Sequence, residues 1–121
     1  MITLYGINNC DRIKKTRTWL TDHGVEYKFH DFKKAGCPPA LIKQFLEHFT
    51  YQELINTRGT TWRKLSEQTK NSLDLKSATV LMCEQASIIK RPLLRTANDW
   101  VLGYDEERLV QLVALDEQVQ E

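Results

Sequence analysis

The chain has 121 residues, with 17 Lys plus Arg against 16 Asp plus Glu, 41% hydrophobic residues and 27% charged ones. This length lets one domain bury a core without staples, and the composition excludes a disordered chain, a collagen-like repeat and a coiled coil. A formal charge of +1 excludes a general pull toward nucleic acid or anionic lipid, so any positive field has to be local.

The opening Met1-Ile2-Thr3-Leu4-Tyr5 is apolar but breaks at Gly6, too short for a signal-peptide core and without a basic lead-in. No other stretch approaches the roughly 18 apolar residues of a membrane span. A cytoplasmic protein with no membrane partner is the expectation. Cys10, Cys37 and Cys83 are odd in number and have no close pair, which suits neither a disulfide framework nor a zinc site. In a reducing compartment each is inert core or chemistry.

In chain order, Ile2-Thr3-Leu4-Tyr5 predicts a strand ending at Gly6, and Asn8 and Asn9 are suited to cap a helix opening at Cys10. Ile13, Thr16 and Leu20 recur at helical spacing, Lys14, Lys15, Arg17 and Asp22 are expected to face water, and Gly24 stops the helix. Residues 25–32 alternate as a second strand, Val25, Tyr27 and Phe29 opposite Glu26, Lys28 and His30. This is a βαβ start with parallel strands. Cys37-Pro38-Pro39 opens a helix through Phe49, striped by Leu41, Ile42, Phe45, Leu46 and Phe49. Further helical turns are expected over 51–55, 62–65 and 77–85, making residues 38–85 a helical insert. Strand content returns over 88–94, a turn falls at Asn98-Asp99, residues 100–104 form another strand, and a helix runs from Asp105. Its first turn, Asp105-Glu106-Glu107, complements the dipole, and the polar tail from Asp116 is expected to fray.

A cysteine in the first turn of a helix meets unpaired N–H groups and the positive dipole end, which favour thiolate over thiol. Cys10 has that position, with Asn8 and Asn9 able to donate amide hydrogen bonds and Arg12, Lys14 and Lys15 adding positive charge. A capped helix whose first cysteine is merely small remains the alternative. The residue three beyond is Ile13, so there is no CxxC, and an adduct on Cys10 must be released by an external thiol such as glutathione or by a distant cysteine. Pro92, at a strand entry, suits a cis bond, and Arg91 beside it can present its fork to an oxyanion, a carboxylate or the thiolate. Arg58 lies in the polar turn 56–61, where it is either a binding group or simply solvated.

Taken together, Tyr5-Gly6-Ile7-Asn8-Asn9-Cys10-Asp11, Lys14-Lys15 with Trp19-Leu20, the segment 27–32, Asn56-Thr57-Arg58-Gly59-Thr60-Thr61-Trp62-Arg63-Lys64-Leu65, Ile89-Lys90-Arg91-Pro92 and Val101-Leu102-Gly103-Tyr104 resemble the ArsC/Spx family of thioredoxin-fold proteins, its YffB-like branch in particular, to about Val113. The resemblance implies an α/β thioredoxin-like fold: a mixed four-stranded sheet flanked by helices, with the helical insert, in one domain over 1–121. It implies Cys10 as nucleophile, Pro92 as the cis proline beside it, and Arg58 and Arg91 as oxyanion-site arginines. Asn8, Asn9 and Tyr104 complete the expected binding set.

Arsenate reductases of this family typically carry a histidine four residues before the cysteine, where this chain has Gly6, and a third arginine where it has Tyr104. Both departures leave less compensation for a multiply charged oxyanion. The expected function is therefore a glutathione-dependent, monothiol thiol/disulfide oxidoreductase. Glutathione is its co-substrate, glutaredoxin a candidate partner, and the protein a monomer with no bound cofactor, metal or nucleic acid. Glutaredoxin-linked arsenate reduction and a non-catalytic Spx-like regulator are the alternatives. Cys37 is a candidate resolving thiol or a junction residue; Cys83 is expected to be a small apolar core residue. His23, His30 and His48 share no ligand spacing, and Trp19, Trp62 and Trp100 are expected to pack.

Overall fold

The computed structural model describes residues 1–120, with side chains through residue 117. Its contacts divide the chain into a sheet unit, Met1–Lys34 with Arg91–Glu121, and a helical unit, Ala35–Lys90.

The sheet unit opens with β1 (Ile2–Gly6), α1 (Asp11–Asp22) and β2 (Tyr27–Asp31), followed by the short α2 (Phe32–Ala35), which crosses the unit boundary. It closes with β3 (Leu93–Arg95), β4 (Trp100–Leu102) and α8 (Glu106–Gln120). The strand order is β2-β1-β3-β4. β1 and β2 are parallel, with Ile2 opposite Tyr27, while β1–β3 and β3–β4 are antiparallel, with Leu4 opposite Leu94 and Leu94 opposite Val101. This is the mixed, thioredoxin-like sheet expected.

Period-two alternation puts Ile2, Leu4, Leu94 and Val101 on one face, where they pack with Ile13 and Leu20 of α1 and Leu109 and Leu112 of α8. Val25, Tyr27 and Phe29 lean on the same core. The opposite face is aromatic: Tyr5 stacks on Phe32 and on Trp100, each at 6.3 Å between ring centroids. α8 does not fray at Asp116 as expected. That carboxylate is buried, 3.2 Å from the Met1 ammonium, and an ion pair to the chain start holds the helix there. Arg17 does not simply face water either. Its guanidinium lies 4.6 Å over the Phe29 ring and its Nε donates to the Tyr27 hydroxyl at 2.9 Å.

The helical unit contains α3 (Pro39–Leu46), α4 (Tyr51–Leu54), α5 (Thr60–Arg63), α6 (Glu67–Asn71) and α7 (Leu75–Glu84), then a single 3-10 turn over Ala86–Ile88. α3 buries Ile42 and Phe45 and packs against α7, which buries Ala78, Leu81 and Met82. It ends at Leu46 rather than Phe49, where a turn intervenes. Both α4 and α7 begin with capping boxes, Thr50 with Glu53 and Asp74 with Ser77. Cys83 is not the core residue expected: one position past the buried Ala78–Leu81–Met82 stripe, it turns to the edge of the helix and is partly exposed. Residues 88 and 89 do not extend β3; Ile89 instead bridges Ile55 and Lys90 donates to the Leu54 carbonyl at 2.7 Å. No helix among the described residues is long and apolar enough to cross a membrane.

Candidate functional site

The turn between β1 and α1 sets the position of Cys10. Asn8 and Asn9 fall in that turn, and Cys10 itself, not either asparagine, is the N-cap of α1, extended at φ −132° and ψ 131°. An extended residue ahead of the first helical one leaves the N–H groups of the opening turn without intrahelical acceptors. The Cys10 sulfur makes no short capping hydrogen bond, yet the N–H groups of Ile13 and Arg12 and the side chain of Arg91 face it. Partial burial pushes the thiol up; the Ile13 N–H, Arg91 and the Arg12 N–H outweigh it and hold Cys10 below the usual thiol range.

Arg91 and Pro92 are joined by a cis peptide bond immediately before β3, as the sequence led us to expect of Pro92. The Pro92 carbonyl accepts from the Gly103 N–H at 2.8 Å, tying this bend to the end of β4. Arg91 crosses over the end of β1. A Cβ placed on Gly6 would stand 3.9 Å from Arg91 Cδ, and it would overlap the Ile13 side chain, whose Cγ1 would lie at 2.8 Å. Ile13 is fully buried. One side chain thus fills the place of a second CxxC cysteine, and any side chain at position 6, histidine included, would require Ile13 to shift.

Tyr104 is half-buried against the same core cluster that Cys10 touches. Its hydroxyl donates to Glu106 Oε1 at 2.9 Å, and Lys15 Nζ sits 4.5 Å above its ring centroid. Burial and the Glu106 carboxylate push the phenol up, so Tyr104 is neutral at physiological pH. Asn8 is engaged by Arg17: its Oδ1 accepts from Arg17 Nη1 at 3.1 Å. Arginine is donor-only, so this contact fixes the amide with its NH2 end free of Arg17. Asn9 is exposed in the turn.

The structure therefore brings Cys10, Arg91 and Pro92 together in the sheet unit, with Tyr104 on the same core. Arg58 belongs to the helical unit, exposed, with its N–H donating to Asn56 Oδ1 at 3.1 Å and its carbonyl accepting from Arg63 Nη2 at 2.7 Å. The sequence reading missed two features, the Arg17 clamp on Asn8 and the Lys15–Tyr104 stack. Arg17 follows Cys10 by seven residues, two helical turns, and that spacing was its only signal. Among the described residues no group of three or more His, Cys, Asp or Glu is placed to hold a metal ion. A thiolate that is partly exposed and faced by N–H groups and a guanidinium is chemically competent to attack an electrophilic sulfur.

Three known proteins bear on this arrangement. A YffB protein of known structure is 38% identical, superposes with a TM-score of 0.88, and matches over 93% of this chain and 99% of its own. An arsenate reductase (ArsC) related protein from Brucella melitensis is 41% identical, with a TM-score of 0.76, over 91% of this chain and 92% of its own. The global transcriptional regulator Spx of Listeria innocua is 30% identical over 112 residues, 90% of this chain and 84% of the regulator. Residues 5–112 match the ArsC family model. With its sheet, its cis proline and its helix-capping cysteine in the order of that match, the chain belongs to the ArsC family.

Proposed function

We propose that this chain is a cytoplasmic thiol/disulfide oxidoreductase that works through the single nucleophile Cys10 and takes its reducing equivalents from glutathione. The observation that carries this reading is the Cys10 sulfur at the N-cap of α1, held below the usual thiol range by the Ile13 and Arg12 N–H groups and by Arg91. The Cys10 thiolate attacks the glutathione sulfur of a mixed disulfide between glutathione and a substrate thiol. That sulfur–sulfur bond breaks, the substrate leaves as thiolate and takes a proton from water, and glutathione remains joined to Cys10. A second glutathione thiolate attacks the adduct on its glutathione sulfur, giving glutathione disulfide and regenerating the Cys10 thiolate. Ile13 supplies no internal thiol to interrupt this cycle. Arg91 stabilises the thiolate as leaving group, and Arg58 and Arg91 bind the anionic end of the substrate or of glutathione. Asn8, Asn9 and Tyr104 line the binding surface, Pro92 shapes it, and glutaredoxin is a candidate partner of the monomer.

Arsenate reduction is the weaker enzymatic reading, because position 6 is a glycine crowded by Ile13 and Tyr104 is neutral where a third cation is wanted. The relatedness to Spx favours a second class, a regulator that acts by binding a partner. Mass spectrometry after exposure to oxidised glutathione tests the proposal. One glutathione on Cys10, lost in Cys10→Ser, is expected, along with alkylation of Cys10 at a lower pH than a free thiol. A Cys10 that takes no glutathione and alkylates like a free thiol removes the oxidoreductase. A Cys10→Ser protein with full biological activity supports the regulator.

A further inference from the structure

Cys37 and Cys83 have no part in the chemistry assigned to Cys10, and both belong to the helical unit. Cys37 immediately precedes Pro38, the N-cap of α3, and Cys83 lies in the last turn of α7. These two helices pack against each other, and Pro39 of α3 lines the same groove as Cys83 of α7. Cys37 is buried, whereas Cys83 is partly open to that groove. We propose that Cys37 and Cys83 are a second, latent thiol pair, which closes to a disulfide when the glutathione pool is oxidised and so fastens α3 to α7.

The groove provides the route. It offers about 550 Å³ beside Cys83 and is open to solvent, with Leu75 and Val80 in its wall and Lys43, Lys76 and Glu84 among its lining residues. An open, largely apolar groove of that size admits a small peptide disulfide to the Cys83 sulfur, and oxidised glutathione is one. The Cys83 thiol loses its proton to water and its sulfur attacks oxidised glutathione, forming a mixed disulfide and releasing one glutathione thiolate. The Cys37 thiol, deprotonated in turn, attacks the Cys83 sulfur and displaces the second glutathione thiolate. Two cysteine thiols are oxidised, and one glutathione disulfide is reduced to two thiols.

The electrostatics of the two sulfurs indicate what kind of disulfide this is. Burial pushes the Cys37 thiol up to about 12, with the nearby Cys83 adding to the effect. Burial and Glu84 raise Cys83. Neither sulfur is stabilised as thiolate, so attack by either is slow. The pair is a latch that closes slowly, unsuited to turnover.

The test uses the full-length Cys10→Ser protein, with wild type run in parallel should that substitution disturb folding. Each is held in oxidised glutathione at mildly alkaline pH, quenched, and digested with trypsin without reduction. The expected product is residues 35–43 joined to residues 77–90, with the intact protein lighter by two hydrogen atoms and both cysteines closed to alkylation in denaturant. In Cys10→Ser/Cys83→Ser, Cys37 is expected to remain a free thiol. If both thiols stay alkylatable, or if glutathione remains on Cys83 as the end product, the latch does not exist. Glutathione found on Cys37 in the double variant overturns the route through Cys83.

Discussion

At Cys10 the sulfur stands at the N-cap of α1, where the Ile13 N–H, Arg91 and the Arg12 N–H more than offset partial burial, and the thiol is held low. At Cys37 the sulfur is buried beside a second thiol, and burial, with that thiol adding to it, pushes it up to about 12. The residue type is the same and the compartment is the same. What differs is whether the backbone presents unpaired donors to the sulfur, and that depends on which side of a helix start the cysteine occupies. Cys37 stands one residue before its N-cap; Cys10 is the N-cap. Deeper burial at Cys37, and facing N–H groups with Arg91 at Cys10, thus push the two thiols in opposite directions.

The largest way to sharpen the contrast is to oxidise the protein and measure stability. Joining Cys37 to Cys83 closes a long loop, and chain entropy assigns such a link on the order of 4 kcal/mol. Denaturant unfolding of the oxidised and reduced proteins is expected to show most of this gain, absent in Cys37→Ser. An unchanged midpoint after verified cross-linking would mean that the link strains the α3–α7 contact by as much as it saves.

A smaller effect isolates Arg91. Hydrogen bonds to charged groups contribute about 1.5–3 kcal/mol, so Arg91→Met is expected to lower the alkylation rate of Cys10 near neutral pH by roughly tenfold or more. The same substitution is expected to displace the pH profile upward and leave Cys37 and Cys83 untouched. Should the profile stay in place, the Ile13 and Arg12 N–H groups alone would account for the thiolate.

How much of this was readable beforehand follows from which signals are local. Alternation over residues 25–29 and the Ile13–Thr16–Leu20 spacing gave β2 and α1, because in both cases the face that repeats is the face that packs on the core, buried in α1 and half-buried in β2. The Cys37-Pro38-Pro39 start placed α3 within two residues. α6 escaped because it buries nothing; its one local mark is Ser66, whose side chain accepts from the Thr69 N–H. β3 was read too early because Ile88 and Ile89 are apolar for another reason, being buried in the helical unit ahead of the cis Arg91–Pro92 bond. At the site, Cys10 and Pro92 were legible from helix-start and strand-entry chemistry. The Arg17 clamp was not, since Phe29 and Tyr27 reach Arg17 only after β2 has paired with β1. Asp116 looked like tail for the same reason: its partner is the other end of the chain.

The smallest expected effect concerns stability against pH, and there the two cysteines have opposite signs. Cys10 has a folded value below that of the unfolded chain, near 8.5, so its contribution is present above that pH and disappears as pH falls through the folded value. Cys37 has a folded value above it, so its contribution is whole below about 8.5 and is lost as pH climbs toward about 12. Denaturant midpoints measured across this range are expected to show Cys10→Ser losing a rise that wild type has below pH 8.5. Cys37→Ser is expected to lose a decline that wild type has above it. Comparing slopes, not absolute stabilities, removes the separate cost of placing a serine hydroxyl where Cys37 is buried. If both substitutions alter the slope with the same sign, the opposition between N-cap and buried junction is wrong, whatever the chemistry of either thiol.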